Sequence, residues 1–277
     1  MTCHLKVSNL TVMFGESCGS CQLYTGPGQR TNRCPSCNSV VACGGVSFEL
    51  HPGEVLGIVG ESGSGKTTLL RSLNLDVSPI AGEAYFQPYE EGRRNIFKAT
   101  GPACRFIQTQ LLGMVYQNPA EGLNFAISSG GNIAEKLIAA NWRNVDQIRG
   151  RAKKILQQIE IPEERLDDFP ATLSGGMQQR VQIAKSIANS PQLLLLDEIS
   201  TGLDVSVQAR VLDMVKDVVR ELNLATIVVS HDLRVVQLLA VRTMVMYYGQ
   251  IIEAGLTDQI LEDPQEEYTQ LLVSSML

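Results

Sequence analysis

Val55-Leu56-Gly57-Ile58-Val59 runs directly into Gly60-Glu61-Ser62-Gly63-Ser64-Gly65-Lys66-Thr67, and that into Thr68-Leu69-Leu70-Arg71-Ser72-Leu73. The three pieces read as a buried strand, a glycine-rich loop and a helix. Glycines let such a loop turn its N–H groups onto phosphate oxygens, Lys66 adds a mobile positive charge for the outer phosphates, and the Thr67 hydroxyl is a ligand for Mg2+. Gly60, Ser62, Gly63, Ser64, Gly65, Lys66, Thr67 and Thr68 are therefore the candidate nucleotide contacts, and the expected ligand is a nucleoside triphosphate. Average residue usage produces the fixed positions by accident in roughly 4 of 100,000 windows, and the strand and helix flanks lower that further. A glycine turn with no ligand is the weaker explanation.

The chain has 277 residues, 44% hydrophobic and 19% charged, with a formal net charge of -6. That is the composition of an ordinary globular protein, large enough for one sizeable α/β domain or two small ones. The acidic balance argues against a broad nucleic-acid footprint. No apolar run approaches the roughly 18 to 20 residues that span a bilayer, and Met1-Thr2-Cys3-His4-Leu5-Lys6 lacks a signal-peptide core. The expected location is the cytoplasm, with any membrane role exercised by docking to another protein.

Four of the seven cysteines form Cys18-Gly19-Ser20-Cys21 and Cys34-Pro35-Ser36-Cys37, separated by twelve residues. In a reducing compartment this spacing favours a metal knuckle over disulfides. Four thiolates at the corners of a tetrahedron suit a structural Zn2+; an iron centre of the same geometry and unligated or redox-active thiols are the alternatives. Cys3, Cys43 and Cys104 have no comparable pairing and read as buried or incidental thiols.

Leu5 to Phe14 alternates in strand fashion, through Leu5 and Val7 and then Leu10, Val12 and Phe14. Residues 16–43 are rich in Gly, Ser, Cys, Asn and Pro and form a Cys-rich, metal-binding insertion. Strand signals resume at Val46 to Leu50, and Gly82 to Phe86 and Gly113 to Gln117 follow. Helical spacing marks Asn132 to Ala140, Val145 to Ile159 and Gly175 to Ser190. Strands at Leu193 to Leu196, Ala225 to Ser230 and Thr243 to Tyr248 are separated by helices at Ser206 to Leu222 and Leu233 to Leu239. Nearly all-apolar strands separated by helices predict an α/β fold with a mostly parallel sheet core.

Leu193-Leu194-Leu195-Leu196 delivers Asp197 and Glu198 at a strand end. Beside a phosphate loop, the first suits Mg2+ coordination and the second suits activation of a water. Leu173-Ser174-Gly175-Gly176-Met177-Gln178, followed by Gln179-Arg180, reads locally as a helix start capped by Ser174. In this order of motifs it resembles the signature of ATP-binding-cassette ATPases. The resemblance extends to Gln117, to Thr201-Gly202-Leu203-Asp204 as a dimer loop, and to His231, and it covers nearly the whole chain outside the insertion. It implies a P-loop fold over residues 1–277 with an antiparallel β subdomain, a helical signature subdomain at 118–185 and a C-terminal tail at 251–277. It also implies ATP hydrolysis with Mg2+. Lys66 then serves the β and γ phosphates, Thr67, Gln117 and Asp197 the Mg2+, Glu198 the general base, and His231 the γ-phosphate. The signature acts in trans on a second subunit's nucleotide. Adenine stacks on Phe14 or, because the insertion follows at once, on its rival Tyr24. Ile199 stands where the family usually has proline, and Met177 where many members have glutamine.

Within that family, Pro52 to Ser62, Ser129-Gly130-Gly131-Asn132-Ile133, Asp204 to Arg210 and Leu256 to Ser275 are similar to the ATP-binding subunit of the bacterial phosphonate carbon-phosphorus lyase system. The Gly130-Gly131 pair alone also reads as a flexible hinge. The resemblance implies a dimer docked on a soluble lyase core complex. The runner-up is the energy-coupling subunit of a dipeptide or oligopeptide importer, with membrane permease subunits as partners.

Overall fold

A computed structural model describes residues 3–202 and 204–275. Among them the strands follow as β1 (Leu5–Phe14), β2 (Val40–Leu50), β3 (Val55–Val59), β4 (Ala81–Phe86), β5 (Leu112–Val115), β6 (Leu193–Asp197), β7 (Ala225–Ser230), β8 (Arg242–Tyr247) and β9 (Gln250–Leu256). The chain forms two compact units, Met1–Cys104 with Ile227–Leu277, and Arg105–Thr226.

In the first unit an antiparallel sheet has the order β2-β1-β4. The jump in apolar phase between Val7 and Leu10 is a β-bulge: the β1–β2 register shifts there, Asn9 has φ +52°, and its N–H donates to Ser47 Oγ at 2.8 Å. A separate parallel pair joins β3 to β8, with β9 antiparallel on the far side of β8. Gly57 allows the helix Leu233–Leu239 to lie close against β3, since a Cβ there would meet Val236 Cγ1 at 2.1 Å.

Two segments differ from the sequence expectation. β2 starts at Val40, not Val46, because Val40 already pairs with Phe14 and Val41 N–H donates to Asn32 O. The interior Gly44 and Gly45, the latter at φ +78°, hide the strand from a propensity reading. The segment expected as a tail carries β9 and the helices Thr257–Glu262 and Glu267–Ser274. Buried Thr257 fastens it, donating to Ala240 O at 2.8 Å and pairing with the Thr243 hydroxyl at 2.8 Å.

In the second unit β5 and β6 run parallel, with Val115 level with Leu196. Helices Ser129–Ala139, Val145–Gln158, Gly175–Ile187 and Val205–Glu221 occupy the expected segments. The first begins earlier than its apolar spacing suggests, because Ser128 Oγ caps it by accepting from Gly131 N–H. Gly130 and Gly131 lie inside its first turn, not in a hinge. A Cβ on Gly130 would meet Leu166 Cδ1 at 2.6 Å, so the glycine permits close packing against the 163–167 turn. Lys136 donates to Gln108 O and Leu112 O at 2.8 and 2.9 Å, and burial, helped by Lys185, pulls its ammonium down to about 8.

Fully buried Asn132 organises the loop before this helix. Its Oδ1 accepts from Asn124 N–H at 2.8 Å, and its Nδ2 donates to Asn124 O at 2.9 Å and Ser128 O at 3.1 Å. Asn132→Ala leaves these backbone groups without their partner, and we expect it to lower unfolding free energy by about 2 to 3 kcal/mol in urea denaturation. An unchanged midpoint would remove this role.

Candidate functional site

The glycines of the phosphate loop are required for separate reasons. Gly60 (φ +150°) and Gly65 (φ +108°) press on neighbouring backbone: a Cβ would lie 2.1 Å from Met246 O and 2.0 Å from Ala42 O, respectively. Gly63 (φ +82°) has nothing within 4 Å of its Cβ position and, with Glu61 and Ser62, faces solvent. That open side, backed by a buried lysine, fits a phosphate chain. Lys66 Nζ donates to Gly60 O and Glu61 O, both at 2.8 Å. The helix Lys66–Leu73 starts at the loop with no side-chain cap, so its first N–H groups are aimed at the cradle, and Thr67 and Thr68 sit half-buried in its first turn.

The loop is held from outside by groups that local sequence patterns did not mark. Gly249 N–H donates to Ser64 O at 2.9 Å, Asn32 Nδ2 donates to Gly63 O at 3.1 Å, and the Cys43 thiol lies 3.8 Å from Gly65 O. Burial pushes Cys43 up to about 12, which keeps it a neutral thiol. Tyr268 Oη accepts from Glu61 N–H at 2.8 Å while its ring stacks on Tyr247 with centroids 3.9 Å apart. Burial pushes the Tyr268 hydroxyl up to about 12, so it stays a neutral phenol. The only sequence signal for Tyr268 was its place in the C-terminal segment that resembles the lyase-system subunit.

His231 is exposed in the turn after β7, next to Asp232, whose Oδ1 caps the helix Leu233–Leu239 by accepting from Arg234 N–H at 2.9 Å. The two candidate adenine platforms, Phe14 at the end of β1 and Tyr24 in the insertion, are similarly exposed, at 47% and 48%.

In the second unit the β5–β6 register explains a contact between residues far apart in sequence. Continuing the Val115–Leu196 pairing by two residues brings Gln117 level with Glu198, and Gln117 Nε2 donates to Glu198 Oε2 at 2.9 Å. Thr201 Oγ1 donates to the same oxygen at 3.2 Å, and Thr201 N–H donates to Glu198 O at 3.1 Å. Glu198 itself has φ +45°, a left-handed conformation that turns its side chain out of the strand. Asp197, the last residue of β6, is buried.

The signature residues form a helix start. Ser174 Oγ accepts from Met177 N–H at 3.4 Å, and Gln178 Nε2 donates to Pro170 O and Leu173 O. Leu173 and Gly176 are buried, whereas Ser174 and Gly175 are exposed. Gln182, one turn along the same helix, accepts from Tyr116 N–H and so fixes the start of the Gln117 loop. Thr201, Gly202 and Asp204 are exposed before the helix Val205–Glu221; Leu203 lies outside the described residues.

The four paired cysteines converge. Sγ separations are 3.6 Å for Cys18–Cys21, 3.7 Å for Cys18–Cys34 and 3.4 Å for Cys21–Cys37, and all four sulfurs lie within 4.8 Å of one another. A tetrahedral ion with metal–sulfur bonds of about 2.3 Å calls for sulfurs about 3.8 Å apart, so the cluster has the right size. Contact with Ser39 brings Cys37 down to about 6, favouring a thiolate.

A family model described as "ABC transporter" matches residues 43–201. The match starts beyond Cys37, leaving the cluster outside the shared pattern. The chain is 52% identical over 232 residues to the phosphonates utilization ATP-binding protein PhnK of Escherichia coli (strain K12), covering 84% of this chain and 90% of that protein. It is 37% identical over 236 residues to the dipeptide transport ATP-binding protein DppF of the same organism, covering 85% and 69%. A solved dimeric bacterial ABC transporter cassette superposes with TM-score 0.75 at 25% identity, covering 91% of this chain and 98% of that one.

Gly65→Ala puts a methyl group against the Ala42 carbonyl in a backbone conformation that alanine disfavours. We expect at least about a tenfold loss of MgATP affinity by calorimetry, with circular dichroism unchanged.

Proposed function

This chain belongs to the ABC transporter family of ATP-binding cassettes, and from that membership we propose that it drives a phosphonate carbon-phosphorus lyase system. It is an ATP hydrolase. The observation that carries the system assignment is the 52% identity across 90% of a phosphonates utilization protein, against 37% across 69% of a dipeptide transport protein. In this reading ATP binding and hydrolysis remodel a soluble lyase core complex in the cytoplasm, and no nucleic acid takes part.

We assign the residue roles from the family resemblance together with the chemistry of each donor. Lys66 and the loop N–H groups hold the β and γ phosphates, while Thr67, Asp197 and Gln117 hold Mg2+. Bound Mg2+ neutralises charge on the phosphate oxygens. Glu198 accepts the proton of the attacking water, and the donors Gln117 and Thr201 hold its carboxylate in place. His231 steadies the γ-phosphate. The exposed N-terminus of the signature helix offers N–H groups to the nucleotide of a second cassette, either another copy or a related subunit, with the 201–204 loop at the dimer contact. Cys18, Cys21, Cys34 and Cys37 hold a structural Zn2+.

Glu198→Gln keeps the donors' partner but removes the base. We expect turnover to fall at least about a hundredfold with MgATP affinity retained, and ATP-bound dimers to accumulate in light scattering. Full turnover would sink the general-base assignment. Affinity purification of the Glu198→Gln protein with ATP from phosphonate-grown cells separates the two systems. Recovery of a soluble iron-sulfur lyase supports this reading; recovery of membrane permease subunits overturns it in favour of peptide import.

A further inference from the structure

The four-cysteine cluster lies next to the nucleotide site in the fold, and one side chain joins them. The twelve residues between the cysteine pairs hold little regular structure: the short turns Cys21–Leu23 and Pro27–Gln29 and a bridge between Gly26 and Thr31. Buried packing around the cluster is small, with Cys21, Cys34 and Val41 at its centre and Met13 and Cys37 against them. So few apolar groups, with Gln22 Nε2 donating to Thr11 Oγ1 at 3.3 Å and buried Thr25 Oγ1 to Cys21 O at 2.9 Å, hold a segment of this length weakly, and a metal cross-link adds the larger restraint. From this loop Asn32 donates its side-chain amide to Gly63 O at 3.1 Å. Its position depends on the knuckle. Asn32 O accepts from Val41 N–H, Arg33 bridges Val40, and Cys34 N–H donates to Ser39 O, so Asn32 stands at the foot of the hairpin that Cys34 and Cys37 close.

We propose that metal bound at Cys18, Cys21, Cys34 and Cys37 sets the nucleotide affinity of the phosphate loop, with Asn32 as the positioning residue that transmits it. This rests on the zinc reading given above. In a planar trans peptide the carbonyl and the following N–H point in opposite directions, so Asn32 on Gly63 O acts on the same 63–64 peptide plane whose Ser64 N–H reaches Glu61 O at a long 3.2 Å, and it reinforces that weak local contact. Gly63 has no side chain and no neighbour within 4 Å of its Cβ position, and it is the glycine of the loop least restrained by its surroundings. With the knuckle closed, the loop is ordered before phosphate arrives; with the knuckle open, nucleotide binding must order it. Asn32 donates to a loop carbonyl oxygen, so its effect falls on affinity rather than on the chemical step.

The test uses the full chain under a thiol reductant, in three states: as purified, stripped by chelator and desalted, and restored with Zn2+. Metal content is read by mass spectrometry and Mg-ADP affinity by calorimetry. The expected result is one zinc per chain, about a five- to tenfold weaker affinity after stripping, and recovery on restoration, the size of one hydrogen bond's net contribution. Asn32→Ala should keep its zinc, show the same weakening, and lose no further affinity when stripped. Its kcat at saturating ATP should stay within about twofold of the parent. Unchanged affinity in the stripped protein, or in Asn32→Ala, overturns the coupling while leaving the zinc reading intact. Absence of stoichiometric metal in the purified protein overturns both.

Discussion

A phosphate loop binds through backbone N–H groups, so its carbonyls must be held away from the ligand and its peptides must stay turned although no regular structure fixes them. In this chain much of the restraint comes from outside the loop. Gly63 O receives Asn32 from the cysteine-rich insertion, Ser64 O receives the Gly249 N–H between β8 and β9, and Gly65 O lies over the Cys43 thiol of β2. Lys66 occupies the carbonyls of Gly60 and Glu61, and Tyr268 takes the Glu61 N–H. Ordering a residue costs about 1 to 2 kcal/mol of backbone entropy. These contacts meet that cost during folding, which leaves more of the phosphate interaction for binding. The β2 and β8 backbones also come so close that only glycine fits at positions 60 and 65.

Features encoded in contiguous residues were legible in the sequence. The strand, loop and helix from Val55 to Leu73, the buried β6 ending in Asp197, and the Ser174 cap all depend on neighbours in the chain. Leu5 to Phe14 was legible as a strand, whereas the bulge at Asn9 within it was not. What escaped depends on distance. Tyr268 meets Glu61 across 207 residues, and no local periodicity marks either partner. β9 was hidden because Gln250, Glu253 and Gly255 give it the composition of a loop, and only pairing with β8 makes it a strand. Gly130 looked like a hinge because a sequence does not show Leu166 beside it.

The Gln117–Glu198 contact stands between these cases. Motif order linked the two residues, but the physical link is sheet register: two parallel strands end together, and each chain continues two residues past its last pair. Shifting either strand by one residue would turn that side chain to the opposite face. Placement of the carboxylate is thus a property of the β5–β6 pair. Gln182 reinforces it by holding Tyr116 N–H, which ties the direction of the Gln117 loop to the signature helix within the same unit.

Ile199, a departure from the family pattern, sits in the turn that carries this placement. Proline after Glu198 would preset φ and remove an N–H, stiffening the turn covalently. Isoleucine does neither, yet Ile199 is only 2% exposed, and burying a side chain of that size is worth about 1.5 to 3 kcal/mol. That is the order of the strain of a left-handed, non-glycine residue such as Glu198. The turn then closes through Thr201, whose N–H takes Glu198 O and whose hydroxyl takes Glu198 Oε2. Burial on one side of the turn and two hydrogen bonds on the other hold this geometry without a proline ring.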